Sequence, residues 1–187
     1  MPENIQDNHS YKLKIFQEVL TTYAIPFLNY PFRYGQSRNK IALDLGSNIG
    51  AFPIVFEKNF AKIICVEPST SANKIAHANY IANNTMLPKT IQRAVSYSDN
   101  KSLELRRVYI DETYESKDFT TTIWDDEEIA SSEYKGIKRE VEEIVNSISL
   151  HSILDSIGKS VDFLKCDVEG AEFDALFGQD LSRIGFL

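Results

Sequence analysis

Residues 40–50 read KIALDLGSNIG, and this stretch decides the fold of the chain. It begins as a short apolar strand and passes into a turn that is flanked by Gly46 and Gly50. The residues that follow, IGAFPIVFEKNF, have the spacing of a helix, and Pro53 falls in its first turn, where a missing N–H group does no harm. A buried strand, a tight turn and a helix in this order indicate an α/β fold.

Strands and helices continue to alternate along the rest of the chain. Further strands are predicted at 62–68, 89–96, 139–150 and 161–167, and residues 98–109 are predicted to form a turn followed by a strand. Further helices are predicted at 11–30, 69–83, 149–158 and 169–178. Ser69 or Ser71 can cap the helix that starts near residue 69, and Gly158 ends a later one. The strands are apolar on both faces, which is typical of a mostly parallel sheet with helices on both sides.

The chain of 187 residues suits a single domain with its own core. Residues 1–38 form a predicted helical lead-in, and residues 108–138 are predicted to be an acidic, irregular insertion. Between Asp111 and Glu143 there are 12 acids and 4 bases, a balance of −8, whereas the whole chain carries −7. The remainder is therefore close to neutral, which excludes a basic nucleic-acid surface.

No apolar run reaches the length of a membrane span, and the polar N-terminus lacks the apolar region of a signal peptide. Cys65 and Cys166 lie inside apolar runs and do not form a CxxC pair. Both are expected to be buried free thiols in a reducing compartment, so the predicted location is the cytoplasm.

In sheets of this kind a ligand binds beyond the carboxyl ends of the strands. Gly46 and Gly50 let the backbone turn sharply there and approach a ligand closely. Asp44, which ends the first strand, can accept hydrogen bonds from a ligand ammonium group. Glu67, which ends the second, can take both hydroxyls of a ribose, and its replacement should leave the fold intact because a strand end lies outside the core.

These features together describe S-adenosylmethionine, which carries an ammonium, a carboxylate and a ribose. The dinucleotide pattern G-x-G-x-x-G fails, because positions 46, 48 and 51 are Gly, Asn and Ala. A P-loop also fails, since no Gly-Lys-Ser/Thr follows. A purely structural turn with solvated acids remains open on spacing alone.

A second group of polar residues ends the predicted strand at 161–167. Residues 162–172 read DFLKCDVEGAE, so Asp167, Glu169 and Glu172 surround one glycine. Carboxylates this close repel each other unless a cation or a shared proton lies among them. An ordinary charged helix start is the alternative interpretation.

The motifs, in order, resemble the FkbM family of S-adenosylmethionine-dependent methyltransferases over Ile41 to Phe177. They are IALDLGSNIGAFPIVF, VEPS, AVSYSDNKSLEL, SISLHSIL and VDFLKCDVEGAEFDAL. The D-x-E-G-x-E element is the specific part, because many methyltransferases share the glycine loop. The resemblance implies a Rossmann-like fold and methyl transfer to an oxygen, often a hydroxyl of a sugar or a polyketide-like molecule. By position it places the cofactor loop on Asp44, Gly46, Ser47, Asn48 and Gly50, and the ribose acid on Glu67.

The chain departs from that pattern in two ways. The family has a shorter connection where this chain has its acidic insertion, and its sheet has more strands than the sequence shows. The last residues, SRIGFL at 182–187, look like the start of another strand. We therefore expect the domain to be incomplete at its C-terminal end. A complete chain would leave an unpaired sheet edge and put activity in doubt.

The resemblance places Asp167 toward the methyl donor and the acceptor hydroxyl, as a general base or an orienting group. Glu169 and Glu172 could share a proton, hold a cation or cap a helix. A metal ion at Asp167 stays open, as does the oligomeric state. His77 and His151 are expected to be packed or exposed rather than chemical, and Trp124 to line an acceptor pocket or a local cluster. Two other functions remain possible: a nicotinamide-dependent enzyme and an inactive binding module.

Overall fold

The structure, a computed structural model, describes residues 39–109, 121–122 and 138–185. Two parts of the sequence prediction lie outside the described residues. They are the lead-in 1–38, with its predicted helix at 11–30, and Trp124. In chain order the elements are β1 (Ile41–Leu45), α1 (Ala51–Phe56), a 3-10 turn (Glu57–Asn59), β2 (Lys62–Val66), α2 (Thr70–Ala82), β3 (Lys89–Ile91), β4 (Ala94–Val95), β5 (Ser102–Tyr109), β6 (Thr121–Thr122), β7 (Lys138–Ile148), α3 (Leu150–Ile157), β8 (Phe163–Cys166) and α4 (Glu172–Leu176).

Four of these strands form a parallel sheet in the order β3-β2-β1-β8. The central strand β1 places Asp44 opposite Cys65 of β2 and opposite Lys165 of β8. Because all four strands run the same way, their carboxyl ends lie at one edge. That edge carries the glycine loop, Glu67 and Asp167.

Helices cover both faces of this sheet. On one face Leu43 and Leu45 of β1 pack with α3 through Leu150 and Ile153. On the other face Ala42 lies in a cluster with Phe52 and Phe56 of α1 and with Phe60 and Phe163. The Phe52 and Phe163 rings are stacked, with centroids 5.8 Å apart. The alternation of β1 side chains between two covered faces confirms the predicted α/β fold.

A second sheet, in the order β4-β7-β5-β6, was not predicted as a separate unit. The predicted strand at 89–96 is split: β3 pairs with β2, whereas β4 pairs with β7. At the break the Arg93 side chain donates to Asn100 Oδ1 and to the Ser147 carbonyl oxygen. In this sheet β5 is antiparallel to β7, with a register shift between Leu105 and Arg106.

Several helix ends follow the sequence signals. Ser69, and not Ser71, caps α2, because its Oγ accepts from the Ala72 N–H at 3.2 Å. Gly158 ends α3 in the left-handed conformation, with φ of 69°. The helices α1 and α4 are shorter than predicted, and α1 passes directly into the 3-10 turn.

The described parts of the predicted insertion 108–138 are the end of β5, the short β6 and the first residue of β7. Near the C-terminus, the sequence predicts the start of another strand. The described residues, which end at Gly185, form a single parallel bridge there, between Val161 and Ile184. No helix in the described part of the chain is long and apolar enough to cross a membrane.

Candidate active site

The glycine loop between β1 and α1 is held tightly against β2. The N–H groups of Gly46 and Ser47 both donate to the Val66 carbonyl oxygen, at 2.9 and 3.2 Å. Gly46, Asn48 and Gly50 have φ values of 75°, 46° and 85°. Three left-handed residues within five positions make a compact turn, which glycine and asparagine tolerate better than other residues.

Residues of helix α2 contact the glycine loop and hold it in place. The Asn79 side chain donates to the Ile49 carbonyl oxygen at 2.9 Å. A Cβ atom on Gly50 would lie 2.6 Å from the ring of Tyr80, so no larger residue fits there without a shift of that ring. The predicted loop residues are therefore fixed by packing as well as by hydrogen bonds.

Glu67 joins the loop to the start of α2. Its Oε2 accepts from the Asn48 N–H and its Oε1 accepts from the Ser69 N–H, both at 2.9 Å. The residue is only 5% exposed, so the premise that this strand-end acid lies outside the core is wrong, whereas the effect of its replacement on the fold stays a prediction. Burial raises the pKa of Glu67 to about 7, although the two backbone hydrogen bonds oppose the shift. Each carboxylate oxygen keeps a second lone pair, so the predicted ribose contact stays a prediction.

Asp44 is completely buried at the end of β1. Its Oδ1 forms an ion pair with the Lys165 ammonium group at 3.1 Å. Neither carboxylate oxygen has a hydrogen-bond partner of good geometry among the described residues. Burial raises the pKa of Asp44, while Lys165 opposes that shift. A buried carboxylate with unsatisfied oxygens is a place where a ligand donor would be stabilised.

Lys165 is a site residue that the sequence reasoning missed. Its side chain is 11% exposed and lies between two acids, with Nζ 3.1 Å from Asp44 and 3.5 Å from Asp167. It also donates to the Gly46 carbonyl oxygen at 3.1 Å. The signal was present, since a lysine inside a buried strand that ends in an acid needs a partner. It supplies the cation that the crowded acids require.

Asp167 directly follows β8 and lies beside the glycine loop. Its N–H donates to the Leu45 carbonyl oxygen at 3.0 Å, and its side chain is 46% exposed. Asp167 is thus anchored through its backbone and open to solvent through its carboxylate. This is the arrangement expected of a group that contacts a second substrate.

The other two acids of the cluster have different surroundings. Glu172 turns back on the preceding loop, where its carboxylate accepts from the Val168 and Gly170 N–H groups at 3.0 and 2.9 Å. Glu169 has a φ of 52°, a strained conformation for a residue with a side chain. The pKa of Glu169 is raised, first by partial burial of its carboxyl group and then by the charges of Asp167 and Glu172. The residue as a whole is nevertheless exposed.

The structure gives no support to a metal site in the parts of the chain it describes, where no three His, Cys, Asp or Glu side chains lie together in a suitable group. His77 lies in α2. His151 lies in α3, is exposed and contacts Asp155 at 3.2 Å. Neither histidine belongs to the candidate site.

A parallel sheet with a glycine loop after β1 and acids at the carboxyl ends of β1, β2 and β8 defines a Rossmann-like α/β protein with a candidate ligand site at that edge. Residues 44–186 match the Methyltransferase FkbM domain, and the chain therefore belongs to the FkbM methyltransferase family. The predicted family membership is confirmed.

Comparison with curated proteins finds no match. Among the solved structures that match is the YcgJ protein from Bacillus subtilis, at 15% sequence identity and a TM-score of 0.30. That alignment covers 46% of this chain and 30% of the YcgJ chain.

Proposed function

We propose that the protein transfers a methyl group from S-adenosylmethionine to a hydroxyl oxygen of a small molecule, such as a sugar or a polyketide-like natural product. The observation that carries the proposal is Asp44, a fully buried carboxylate just before the glycine loop, whose Oδ1 pairs with the Lys165 ammonium and whose Oδ2 has no hydrogen-bond partner in the described part of the chain. Such a group favours a cationic ligand over a phosphate. The family match supports methyl transfer as the reaction.

The residues at this edge suit the methyl donor. Asp44 would accept hydrogen bonds from the ligand ammonium group, and Glu67 from the ribose hydroxyls. The ligand would approach along the glycine loop assigned from the sequence, which comprises Gly46, Ser47, Asn48 and Gly50. Asn48 connects the glycine loop to the predicted ribose acid, because its N–H donates to the Glu67 carboxylate.

When bound, S-adenosylmethionine supplies an electrophilic methyl group on a sulfonium. The Asp167 carboxylate would take the hydroxyl proton of the acceptor as the acceptor oxygen receives the methyl group. Asp167 is suited to this because its backbone is anchored and its side chain is open. Most of the rate enhancement would come from positioning the two reactants in line.

Glu169 and Glu172 then have supporting roles. Glu172 holds the loop that follows Asp167 through two backbone N–H groups. Glu169 lies in the same loop, where its charge would influence the acceptor side. We also propose a cytoplasmic location, which agrees with two cysteines that form no disulfide.

Isothermal calorimetry with S-adenosylmethionine and with NAD tests the cofactor. We expect the first to bind and the second not to bind. An assay for S-adenosylhomocysteine with a panel of hydroxylated sugars and polyketides tests the transfer. Binding of NAD in place of S-adenosylmethionine would contradict the proposal, and cofactor binding without product from any acceptor would favour an inactive binding module.

A further inference from the structure

One cation holds together two acids that come from different parts of the chain. Asp44 ends β1 and Asp167 follows β8, yet the Lys165 ammonium lies 3.1 Å from one and 3.5 Å from the other. The same ammonium donates to the carbonyl oxygen of Gly46, the first residue of the glycine loop. Lys165 therefore touches the cofactor loop, the buried acid and the acceptor-side acid at once.

The charges of this group fit the proposed methyl donor. Two carboxylates and one ammonium leave one net negative charge. S-adenosylmethionine carries a sulfonium, an ammonium and a carboxylate, which leave one net positive charge. Without Lys165 two close carboxylates, one of them fully buried, would have no cation between them before the ligand binds. A buried charge that loses its partner is costly and tends to become neutral.

We propose that Lys165 is a positioning residue of this site, whose ammonium group keeps Asp44 charged and oriented for the cofactor and links it to Asp167 on the acceptor side. The inference rests on the proposed function. It goes beyond that function by assigning a role to a strand lysine in cofactor binding. Lys165 would act through the two acids and would not itself touch the reacting atoms.

The surroundings of Asp44 set the sign of the expected pH effect. Burial raises its pKa, and Lys165 is the group that opposes this shift. Lys165 likewise opposes the raised pKa of Glu67. The titratable and charged groups that interact with Asp44 from the neighbouring elements are Cys65, Glu67, Tyr80, Lys165, Cys166 and Asp167. Lys165 is the one cation in this described group, so its removal should raise the pKa of both acids.

The test measures the dissociation constant of S-adenosylmethionine against pH for the wild type, Lys165→Met and Lys165→Arg. Methionine keeps most of the apolar stem without the charge, whereas arginine keeps the charge. Lys62→Met is the matched control, because Lys62 is an exposed lysine at the amino end of β2 in the same sheet. Thermal unfolding of each variant shows whether it is folded.

For Lys165→Met we expect the pH at which affinity is half lost to move up by about 1 unit or more. At pH values below that point, binding should be weaker by about tenfold or more. Lys165→Arg should keep the wild-type midpoint, and Lys62→Met should match the wild type throughout. A purely structural lysine would change thermal stability without moving this midpoint.

Three outcomes decide the matter. If the wild type binds S-adenosylmethionine and Lys165→Met has the same affinity and midpoint, the inference is wrong while the proposed function stands. If the wild type binds none at any pH at which it is folded, both are wrong. If Lys165→Met does not fold, the double variant Asp44→Asn/Lys165→Met replaces it, since removing both charges relieves the unpaired acid; wild-type affinity and pH dependence in that variant would overturn the inference.

Discussion

Gly46 lies so close to the main chain of Asp167 that a side-chain carbon on Gly46 would overlap the Asp167 carbonyl oxygen. The two motifs that the sequence presents far apart, the glycine loop and the acid cluster, are therefore in direct backbone contact. Gly46 also has a φ of +75°, which residues with a side chain rarely adopt. The glycine is required twice, once for its conformation and once for the space it leaves.

This contact predicts that Gly46→Ala is strongly destabilising. A left-handed conformation alone costs about 1–2 kcal/mol for alanine, and the overlap with backbone adds to it. Gly158→Ala is the matched control, because Gly158 has a φ of +69° and open space around its Cβ position. Urea denaturation of both variants should show a clearly larger loss for Gly46→Ala. Equal losses would mean that the backbone contact has no energetic consequence.

The raised pKa of Glu67 predicts that the free energy of unfolding depends on pH. Its pKa is about 7 in the folded state against 4.5 for an unperturbed glutamate, so the folded state binds the proton more tightly. The stability that Glu67 contributes is fully present below the unfolded pKa and is lost as the pH rises through the folded pKa. Over this window the free energy of unfolding of the wild type, relative to Glu67→Gln, should fall by about 1.4 kcal/mol per pH unit at the steepest. Denaturation of both proteins across the window checks this, and a flat difference would contradict it.

Asp167→Asn should separate chemistry from cofactor binding. The side chains have the same shape, and Asp44 keeps its own contact with Lys165, so affinity for S-adenosylmethionine should stay within a few fold. Turnover should fall by about 10² to 10⁴, the usual contribution of a positioned base. Asp174→Asn, at an exposed position of α4, is the control and should behave as the wild type. Full activity of Asp167→Asn with a true acceptor would remove Asp167 from the chemistry.

Glu172→Gln should affect stability more than rate. An ionised carboxylate accepts from both Val168 and Gly170, whereas an amide offers only one acceptor oxygen. We expect a loss of about 1 kcal/mol in the free energy of unfolding and little change in turnover. Glu169→Gln, measured in parallel, compares Glu172 with a second acid of the same loop, which lies at an exposed position. A larger effect of Glu172→Gln on rate than on stability would assign it to catalysis instead.

Local pattern was enough to predict the parallel sheet and the position of its loop. In residues 40–50 the apolar run, the glycines and the helix signal agree with one another, and strand β1 needs no distant information to form. The cap of α2 was predicted as Ser69 or Ser71, because a capping serine acts on N–H groups two or three residues away, and the structure selects Ser69.

The features that were missed depend on residues far apart in the sequence. The break between β3 and β4 relies on Arg93 and its contacts with Asn100 and Ser147, and nothing in the stretch 89–96 shows it. The pair formed by Asp44 and Lys165 follows from the register of β1 against β8. Strand register of this kind is set by tertiary packing, which a local propensity does not report.

The central claim is tested most directly by the affinity of Asp44→Asn for S-adenosylmethionine, measured by calorimetry beside the wild type and Asp174→Asn. The loss of a hydrogen bond between a carboxylate and an ammonium group corresponds to about 1.5–3 kcal/mol, so binding should weaken by about tenfold to more than a hundredfold. Asp174→Asn should bind as the wild type does. Equal affinities of folded Asp44→Asn and the wild type would contradict the account, because the ligand would then lie away from the buried acid at the end of β1.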